Sequence, residues 1–545
     1  MFNKLTDTTI MWPLIVMWDA GASSVIFQVS GVIIAFTISV SLVRFLTRDD
    51  HVPIRDASKR HNWQTTSMLN KICYCNVCEV LLAQGEGVFC DCCGVCAHVG
   101  CVTKADRSLK CKVVHCNDSS PFKHHWIKGN LCLGAVCDVC EEEAGTGCGL
   151  IDFSCCWCHR SIHLSCLASL GDVCDFGRFR ALIVPPNCVE VETRRSSIRR
   201  KLRLRKVKST GWLQWTPLIV MANCRSGSND GAQVLATFRR VLNPAQCVDL
   251  AERPPEVALE WCQLLQQAGA KPIILVAGGD GTVGWVLNAV FSLHIEPAPP
   301  VAVIPLGTGN DLSRVLGWGK EFCPDLQPEE VMKRVMKAQI VQLDRWEVAT
   351  KWANHLSHLG RIKKRLMYNY MSVGVDAQVT LDFHRTRESA FYIISSRIFN
   401  KMLYLLFGTQ QVIEKGCRNL EERLELYLDG NRIELPEIES IVILNIPSWG
   451  AGCRLWDMLN PDEVGEQSIC DGKLEVLALY SSFHMAQLQV GLSTPHHIGQ
   501  ASSLTIRFKD SLPVQVDGEP WLQRPCTISI SRDGQATLLS RSEEK

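Results

Sequence analysis

The sequence has almost no net charge. Lys and Arg number 57 against 56 Asp and Glu, a formal +1 over 545 residues. That balance excludes a global field drawing the chain to nucleic acid or to membrane, so any charged partner must be met locally, and no nucleic-acid partner is expected. Long apolar runs are also scarce. One charge-free stretch, Val25–Val43, reaches 19 residues, close to the roughly 20 that an apolar helix needs to cross a bilayer. No basic segment leads into it and no Ala-x-Ala follows, which argues against a cleaved signal peptide. Asp19 precedes it, and Arg44, Arg48 and Arg55 follow. By the positive-inside rule this predicts a membrane segment at 20–45 with the remainder facing the cytosol, held at the endoplasmic reticulum or plasma membrane. A shorter apolar run, Ile10 to Trp18, contains Pro13 and keeps a re-entrant hairpin open beside a full span.

Cysteine, by contrast, is abundant, with 28 residues, most of them before residue 175. They alternate with histidines at metal-ligand spacing, which points to zinc in a reducing compartment rather than to disulfides. His124, Cys137, Cys140, Cys155, Cys158, His163, Cys166 and Cys174 spell H-x12-C-x2-C-x14-C-x2-C-x4-H-x2-C-x7-C, eight ligands for two tetrahedral sites. A looser copy precedes it in His61, Cys75, Cys78, Cys90, Cys93, His98, Cys101 and Cys111. The two modules span 61–111 and 124–174 and call for up to four structural Zn²⁺. Cys73, Cys92, Cys96 and Cys156 compete for places in them. The pattern resembles the phorbol-ester/diacylglycerol-type zinc finger of protein kinase C and diacylglycerol kinases. That resemblance implies interleaved ligands, the first His joining the third, fourth and next-to-last Cys. Lipid-binding fingers of that family carry a Pro and a Gln-Gly. Here the Pro is missing from both copies, and Gln84-Gly85 stands two residues early. A structural module and a finger that captures diacylglycerol both remain open, and zinc supplies the folding energy of either.

Residues 185–212 read as a basic linker. Nine of the fifteen residues from Arg194 to Lys208 are basic. Near anionic phospholipid each is worth about 1 kcal/mol. A solvated linker and a nuclear-import patch are the other readings.

Three strand-and-loop units follow. Pro217–Asn223 runs into Arg225-Ser226-Gly227, Ile273–Ala277 into Gly278-Gly-Asp-Gly-Thr282, and Val301–Pro305 into Leu306-Gly-Thr-Gly-Asn-Asp-Leu312. Apolar runs without alternation predict strands buried on both faces of a parallel sheet. Their loops would then share the carboxyl edge, where open α/β sheets bind ligands. Glycines let backbone N–H groups approach a polyphosphate. No Gly-Lys-Ser/Thr follows the second loop, so it is not a Walker loop. Candidate nucleotide contacts are Asn223, Ser226, Gly227, Gly278, Gly279, Gly281, Thr282, Gly307, Thr308, Gly309 and Asn310. Asp280 can hold Mg²⁺ or take a proton from a hydroxyl, and a side chain on Gly279 would occupy phosphate space. After about residue 365 alternation takes over. Leu424–Leu428 before Asp429-Gly430, and Ile528–Ser531 before Asp533-Gly534, have hairpin chemistry.

Gly278–Asn288, Pro305–Arg314 and Val516-Asp-Gly-Glu-Pro-Trp521, with the fingers, resemble a eukaryotic diacylglycerol kinase over nearly the whole chain. The layout is most like the epsilon type. Tyr370–Asp376, Asn445–Trp456 and Phe483–Gln489 reinforce the likeness. The resemblance implies a multidomain chain: a membrane segment, two zinc-finger modules, an α/β nucleotide-binding kinase domain at 214–350 and a β-rich accessory domain at 365–540. It implies transfer of the ATP γ-phosphoryl to 1,2-diacylglycerol in the membrane, attenuating diacylglycerol signalling and feeding phosphoinositide resynthesis. It brings Asp517 and Glu519 to the cleft as catalytic acids beside Asp280, with Asp517 a candidate general base. An arachidonoyl-selectivity motif of the form L-x3/4-R-x2-L-x4-G is matched by Leu428, Arg432 and Leu435, with Ser440 in place of the glycine. A sphingosine or ceramide kinase of the same superfamily, and a catalytically silent scaffold, are the alternatives.

Overall fold

The computed structural model describes residues 53–541 except 55–59, 66–72, 84–86, 117–120, 196–199, 225–229, 353–361, 389–415 and 463. The segment expected at 20–45 lies outside the described residues, as do Gln84-Gly85, Ser226 and Gly227. Among the described residues no helix is long and apolar enough to cross a membrane.

Each cysteine-rich stretch builds a small three-stranded antiparallel sheet. The first uses Trp63–Thr65, Gly87–Cys90 and Cys96–His98, the second Trp126–Lys128, Phe153–Cys155 and Ser161–Ile162. Their cores are minimal, Cys75, Ala97 and Ala105 in one and Cys137, Ala144 and Ile162 in the other. Modules this small need a source of stability beyond apolar burial.

The stretch 185–212, expected as a linker, contains a hairpin. Strands β1 (Val189–Arg195) and β2 (Arg200–Val207) pair antiparallel, and Pro53–Ile54 adds a third strand against β2. The physical reason is the alternation in Lys201-Leu-Arg-Leu-Arg-Lys-Val207, which has the period of a strand. Leu204 and Val207 are buried, as is Arg203, so the second half of the charge run is a strand that packs against the fold.

A parallel sheet follows. Strand β3 (Leu218–Ala222), helix α1 (Asp230–Val241), β4 (Cys247–Asp249), β5 (Ile273–Gly278), α2 (Asp280–Ser292), β6 (Val301–Pro305) and α3 (Asp311–Val315) give the order β4-β3-β5-β6. Every residue of β3 and β6 is buried, as strands covered on both faces require. The register sets Ala222 beside Ala277 and Gly278 beside Pro305, so the loops after β3, β5 and β6 leave the sheet side by side. The cysteine-rich modules meet this sheet on α1. Arg239 pairs with the buried Asp91 of the first module at 3.0 Å. The buried Lys112 donates from Nζ to the carbonyl of Arg240 at 2.9 Å and lies over Trp157 of the second module.

The remainder is antiparallel: β7 (Gln339–Lys351), β8 (Ile362–Met367), β9 (Tyr370–Gly374), α4 (Val375–Glu388), β10 (Leu424–Leu428), β11 (Asn431–Ile433), β12 (Ser440–Leu444), β13 (Leu474–Leu479), α5 (Ser482–Gln489), β14 (His496–Ala501), β15 (Ser503–Phe508), β16 (Leu512–Val516), β17 (Glu519–Gln523) and β18 (Cys526–Ser540). One sheet runs β14-β13-β12-β9-β16-β17. The other continues the parallel sheet: β18 meets β6 through Val301 and Leu538, β15, β10 and β11 follow, and β7 and β8 branch from β18. Alternate residues fill the space between the two sheets, among them Ile441, Ile443, Val514, Val516, Ile506 and Ile528. Val442 and Leu444 point the other way, toward Val379, Met485 and Leu488 of α4 and α5.

Asp429-Gly430 turns the β10–β11 hairpin, with Leu428 opposite Asn431. Asp533-Gly534, expected to turn a second hairpin, does not. It lies within β18 as a bulge, where Arg345 faces Gly534 and Trp346 faces Arg532. Gly534 takes φ +136 there, the conformational freedom a bulge draws on. The boundary expected between 350 and 365 falls inside the β7–β8 hairpin, whose pairs include Trp346 with Met367 and Lys351 with Ile362.

Glu475 of β13 is fully buried, and its carboxyl accepts from the side-chain amides of Gln467 and Gln500 at 3.0 and 3.2 Å and from its own backbone amide. Burial pushes its pKa up to about 7. The stability this group contributes is therefore present below its ordinary value near 4.5 and lost as pH rises through about 7. Glu475→Gln should remove a pH-dependent difference on the order of 3 kcal/mol between pH 5 and 8. Urea melts of both proteins across that range check it, and parallel pH curves would contradict the assignment.

Candidate active site

Two glycine loops meet at the carboxyl edge of β5 and β6. Gly279 precedes α2 in extended backbone, and Asn310 precedes α3 in the left-handed conformation, φ 52. The loops touch through backbone. A Cβ built on Gly307 would stand 2.6 Å from Gly279 Cα, and one on Gly279 would stand 3.0 Å from Gly307 Cα. A side chain on Gly279, expected to occupy phosphate space, would also press on the neighbouring loop. The turn also has Gly-x-Gly-x-x-Gly spacing at Gly279, Gly281 and Gly284. Dinucleotide turns share this spacing, so the spacing alone does not name the ligand.

Asp280 reaches across to the second loop. Its Oδ2 accepts from the Asp311 amide at 3.1 Å and its Oδ1 from the Leu312 amide at 3.0 Å, and the Asn369 side chain also donates to it. Burial and then the charge of Asp311 push its pKa up to about 6. Asp311 in turn accepts from Ser448 Oγ at 2.5 Å, Gly452 N at 2.9 Å and Ala451 N at 3.3 Å, and burial raises it too.

Asp517 enters from the opposite wall, on the turn between β16 and β17. It accepts from the backbone amides of Tyr368 (2.8 Å), Asn369 (2.8 Å) and Tyr370 (3.0 Å). Burial outweighs these three donors and holds its pKa up at about 7, with the charge of Asp280 adding to the rise. Glu519 is exposed at the rim, its Oε1 3.9 Å from where a Cβ on Gly281 would lie.

The structure therefore brings together Asp280, Asp517, Gly278, Gly279, Gly281, Thr282, Gly307, Thr308 and Gly309, with Glu519 at the edge. Asn223 directly follows β3, its carbonyl 2.8 Å from a Cβ position on Gly231 of α1. Asn310, expected to touch phosphate or ribose, is buried and braces its own loop instead. Its Oδ1 accepts from Gly307 N at 2.8 Å, and its Nδ2 donates to the Gly307 and Lys320 carbonyls, both at 2.9 Å. A left-handed Asn commonly serves its own turn in this way. Asp311 and Asn369 were missed. Asp311 stood in the third loop but was given no role of its own. Asn369 directly precedes the quoted Tyr370–Asp376 stretch and carries no motif of its own. Its amide N–H serves Asp517 and its side chain serves Asp280, and its Oδ1 is buried without a partner. An orphaned acceptor beside three raised carboxylates and two glycine loops fits a cation with a polyphosphate.

The cysteine–histidine sets gather into four groups: His61, Cys90, Cys93, Cys111; Cys75, Cys78, His98, Cys101; His124, Cys155, Cys158, Cys174; and Cys137, Cys140, His163, Cys166. In each, all ligand atoms lie within 4.8 Å of one another. Three thiols and an imidazole are the donor set of structural zinc. The Nε2 of His61 and of His163 meets the carbonyls of Leu109 and Glu143, each at 3.2 Å, the outer partner that fixes a ligand ring. The pairing implied by resemblance is corrected in one respect. The first His takes the last Cys, Cys111 or Cys174, and the next-to-last Cys stays with the other site. The reason is local: Cys166 N bonds to the His163 carbonyl at 3.0 Å in a tight turn, which keeps those two ligands together. Among the competing cysteines, Cys73 and Cys96 pack with Phe89 instead.

Gly307→Ala should cost about 1–3 kcal/mol, because its Cβ overpacks a backbone contact. A lowered urea midpoint checks this, and an unchanged midpoint would show that the loops can part freely.

Residues 217–348 match the diacylglycerol kinase catalytic domain and residues 366–520 the diacylglycerol kinase accessory domain. "Probable diacylglycerol kinase 3" of Caenorhabditis elegans is 32% identical over 519 residues, 88% of this chain and 64% of that protein. "Diacylglycerol kinase 2" of Arabidopsis thaliana is 29% identical over 594 residues, 86% and 82% of the two chains. "Diacylglycerol kinase iota" of Mus musculus is 31% identical over 541 residues, 89% and 51%. This chain thus spans just under two thirds of the nematode relative and about half of the mouse one. With both domains present in order and the acids of the cleft contributed by both, the chain belongs to the eukaryotic diacylglycerol kinase family.

Proposed function

We propose that the chain transfers the γ-phosphoryl of ATP to the free primary hydroxyl of 1,2-diacylglycerol, giving phosphatidate and ADP. The observation that carries this is the seam itself: Asp280 and Asp517, raised to about 6 and about 7, face one another beside two glycine loops. The loops of β5 and β6 would receive the triphosphate through backbone N–H groups. Asp280 is the candidate to hold Mg²⁺, which when bound offsets charge developing on the phosphate oxygens. Asp517 is the candidate base. A carboxyl near neutrality can take the hydroxyl proton at physiological pH and give it up again. Glu519 at the rim is placed to orient the acceptor.

The finer parts of the proposal rest on sequence. Four zinc ions would occupy the four cysteine–histidine groups. The Val25–Val43 stretch would tie the chain to the endoplasmic reticulum or plasma membrane with the catalytic region in the cytosol, and the basic β1–β2 hairpin would meet anionic phospholipid. Consuming diacylglycerol there would attenuate its signalling and supply phosphatidate for phosphoinositide resynthesis. The order of segments supports an epsilon-like type. An arachidonoyl preference is favoured by Leu428, Arg432 and Leu435 and opposed by Ser440. The ratio of kcat/KM for arachidonoyl and dioleoyl substrates measures it.

Labelled ATP offered with dispersed 1,2-diacylglycerol, sphingosine and ceramide in parallel tests the reaction. Label should enter phosphatidate alone, and Asp280→Ala should lower it by at least about 100-fold while zinc content holds. No label from folded, zinc-loaded protein would defeat the proposal. Because a base works deprotonated, kcat/KM should rise with pH through about 7. A profile flat from pH 6 to 8 would remove Asp517 from that role.

A further inference from the structure

Asp517 holds its position in an unfavourable conformation. It and Gly518 form the two-residue turn between β16 and β17, at φ +48 and +82. Both angles positive is the type I′ geometry of tight hairpins, and a non-glycine residue there costs about 1 kcal/mol or more. The turn is fastened on both sides. Asp517 N donates to the Tyr370 carbonyl at 2.9 Å. On the other side, Gly518 N donates to Gln515 Oε1 at 2.8 Å.

Gln515 is fully buried, and its other end is also engaged. Its Nε2 donates at 2.9 Å to Oδ2 of Asp376, in the first turn of α4, and the Ser372 hydroxyl donates to the same oxygen. Ser372 and Gln515 are direct cross-strand partners on β9 and β16. All three side chains are completely buried. Their strand neighbours Met371, Val373, Val514 and Val516 belong to the apolar core on the opposite face. A buried carboxylate with a serine and a glutamine costs desolvation that apolar residues of the same size would avoid, so packing alone does not account for it.

We propose that Gln515 is a positioning residue for the phosphoryl-transfer site, locking the Asp517-Gly518 turn through Asp376 and Ser372 so that the Asp517 carboxylate stays on the amides of 368–370. The kinetic part of this inference rests on the reading of Asp517 as the base. The geometric part does not. The chain of contacts runs from α4 through Asp376 and Gln515 to Gly518, and from there to the acid. None of the three touches the reacting atoms. They fix where the acid stands, and misplacement of about 1 Å at a reacting group costs on the order of 100-fold.

Gln515→Leu keeps the size of the side chain and removes both bonds. Ser372→Ala, which deletes a single hydroxyl, is the milder variant should the first fail to fold. Hydrogen exchange by mass spectrometry should show faster exchange in peptides covering 366–372 and 514–520, with the zinc modules unchanged. Kinetically, kcat should fall about 10- to 100-fold while the KM for ATP stays within about twofold. In an Asp517→Asn background the same change should cost less than about twofold, because both substitutions act on one group. Unchanged exchange in both peptides, or an additive loss in the double variant, would overturn the inference. Faster exchange in the variants, with a wild-type chain that shows no kinase activity, would sustain the brace and defeat the kinase reading instead.

Discussion

Three carboxylates share one water-poor seam between the parallel sheet and the antiparallel sandwich, and each depends on donors from elsewhere in the fold. Asp280 and Asp311 rise from the glycine loops, yet Asp280 takes a bond from Asn369 and Asp311 takes bonds from Ser448 and Gly452. Asp517 rises from the sandwich and rests on the amides between β8 and β9. Packing like charges in a poorly solvated place is unfavourable, and the raised pKa values of all three register that cost. The backbone N–H groups reduce it without abolishing it. Such a site is built to receive positive charge.

The same seam explains why the two halves are not separable beads. β18, the last strand, pairs with β7 along thirteen residues and touches β6 at Leu538. Trp318 Nε1 donates to the Leu539 carbonyl, and Tyr368 Oη donates to Asn288 of α2. A chain cut between 350 and 365 would break the β7–β8 hairpin that carries the Tyr368–Asn369 turn into place. The carboxylates would then lose the donors that make them tolerable.

Much of this was legible in the sequence because it rests on short-range signals. Three apolar runs without alternation, each ending in small polar residues, declared parallel strands with loops on one edge. Asp280, Asp517 and the sixteen cysteines and histidines stood out by residue type and spacing. Two of the failures, at Asp533-Gly534 and at Asn369, have a deciding partner far away in sequence, whereas at Asn310 it lies within ten residues. Asp533-Gly534 has turn chemistry, but its partner strand, nearly two hundred residues earlier, continues past it and makes it a bulge. Asn310 looked free to touch phosphate, and the Lys320 carbonyl claims it. Asn369 has no motif, since its role exists only where Asp280 and Asp517 converge. The charge run of β2 hid an alternation that was visible but outweighed by its composition.

The cysteine-rich modules matter here because of where they grip. Asp91 and Lys112 are both buried. Removing one partner of a buried ion pair costs about 3–5 kcal/mol, since it strands the other, so the Asp91–Arg239 pair resists separation even though it adds little net stability. Lys112 caps carbonyls at the C-terminal end of α1, where a cation answers the helix dipole, and burial lowers its pKa. Asp91 directly follows Cys90, and Lys112 directly follows Cys111, two ligands of one group. That group is thus tied, one residue away at each ligand, to the C-terminal end of α1. Through these contacts the first module forms part of the wall behind α1.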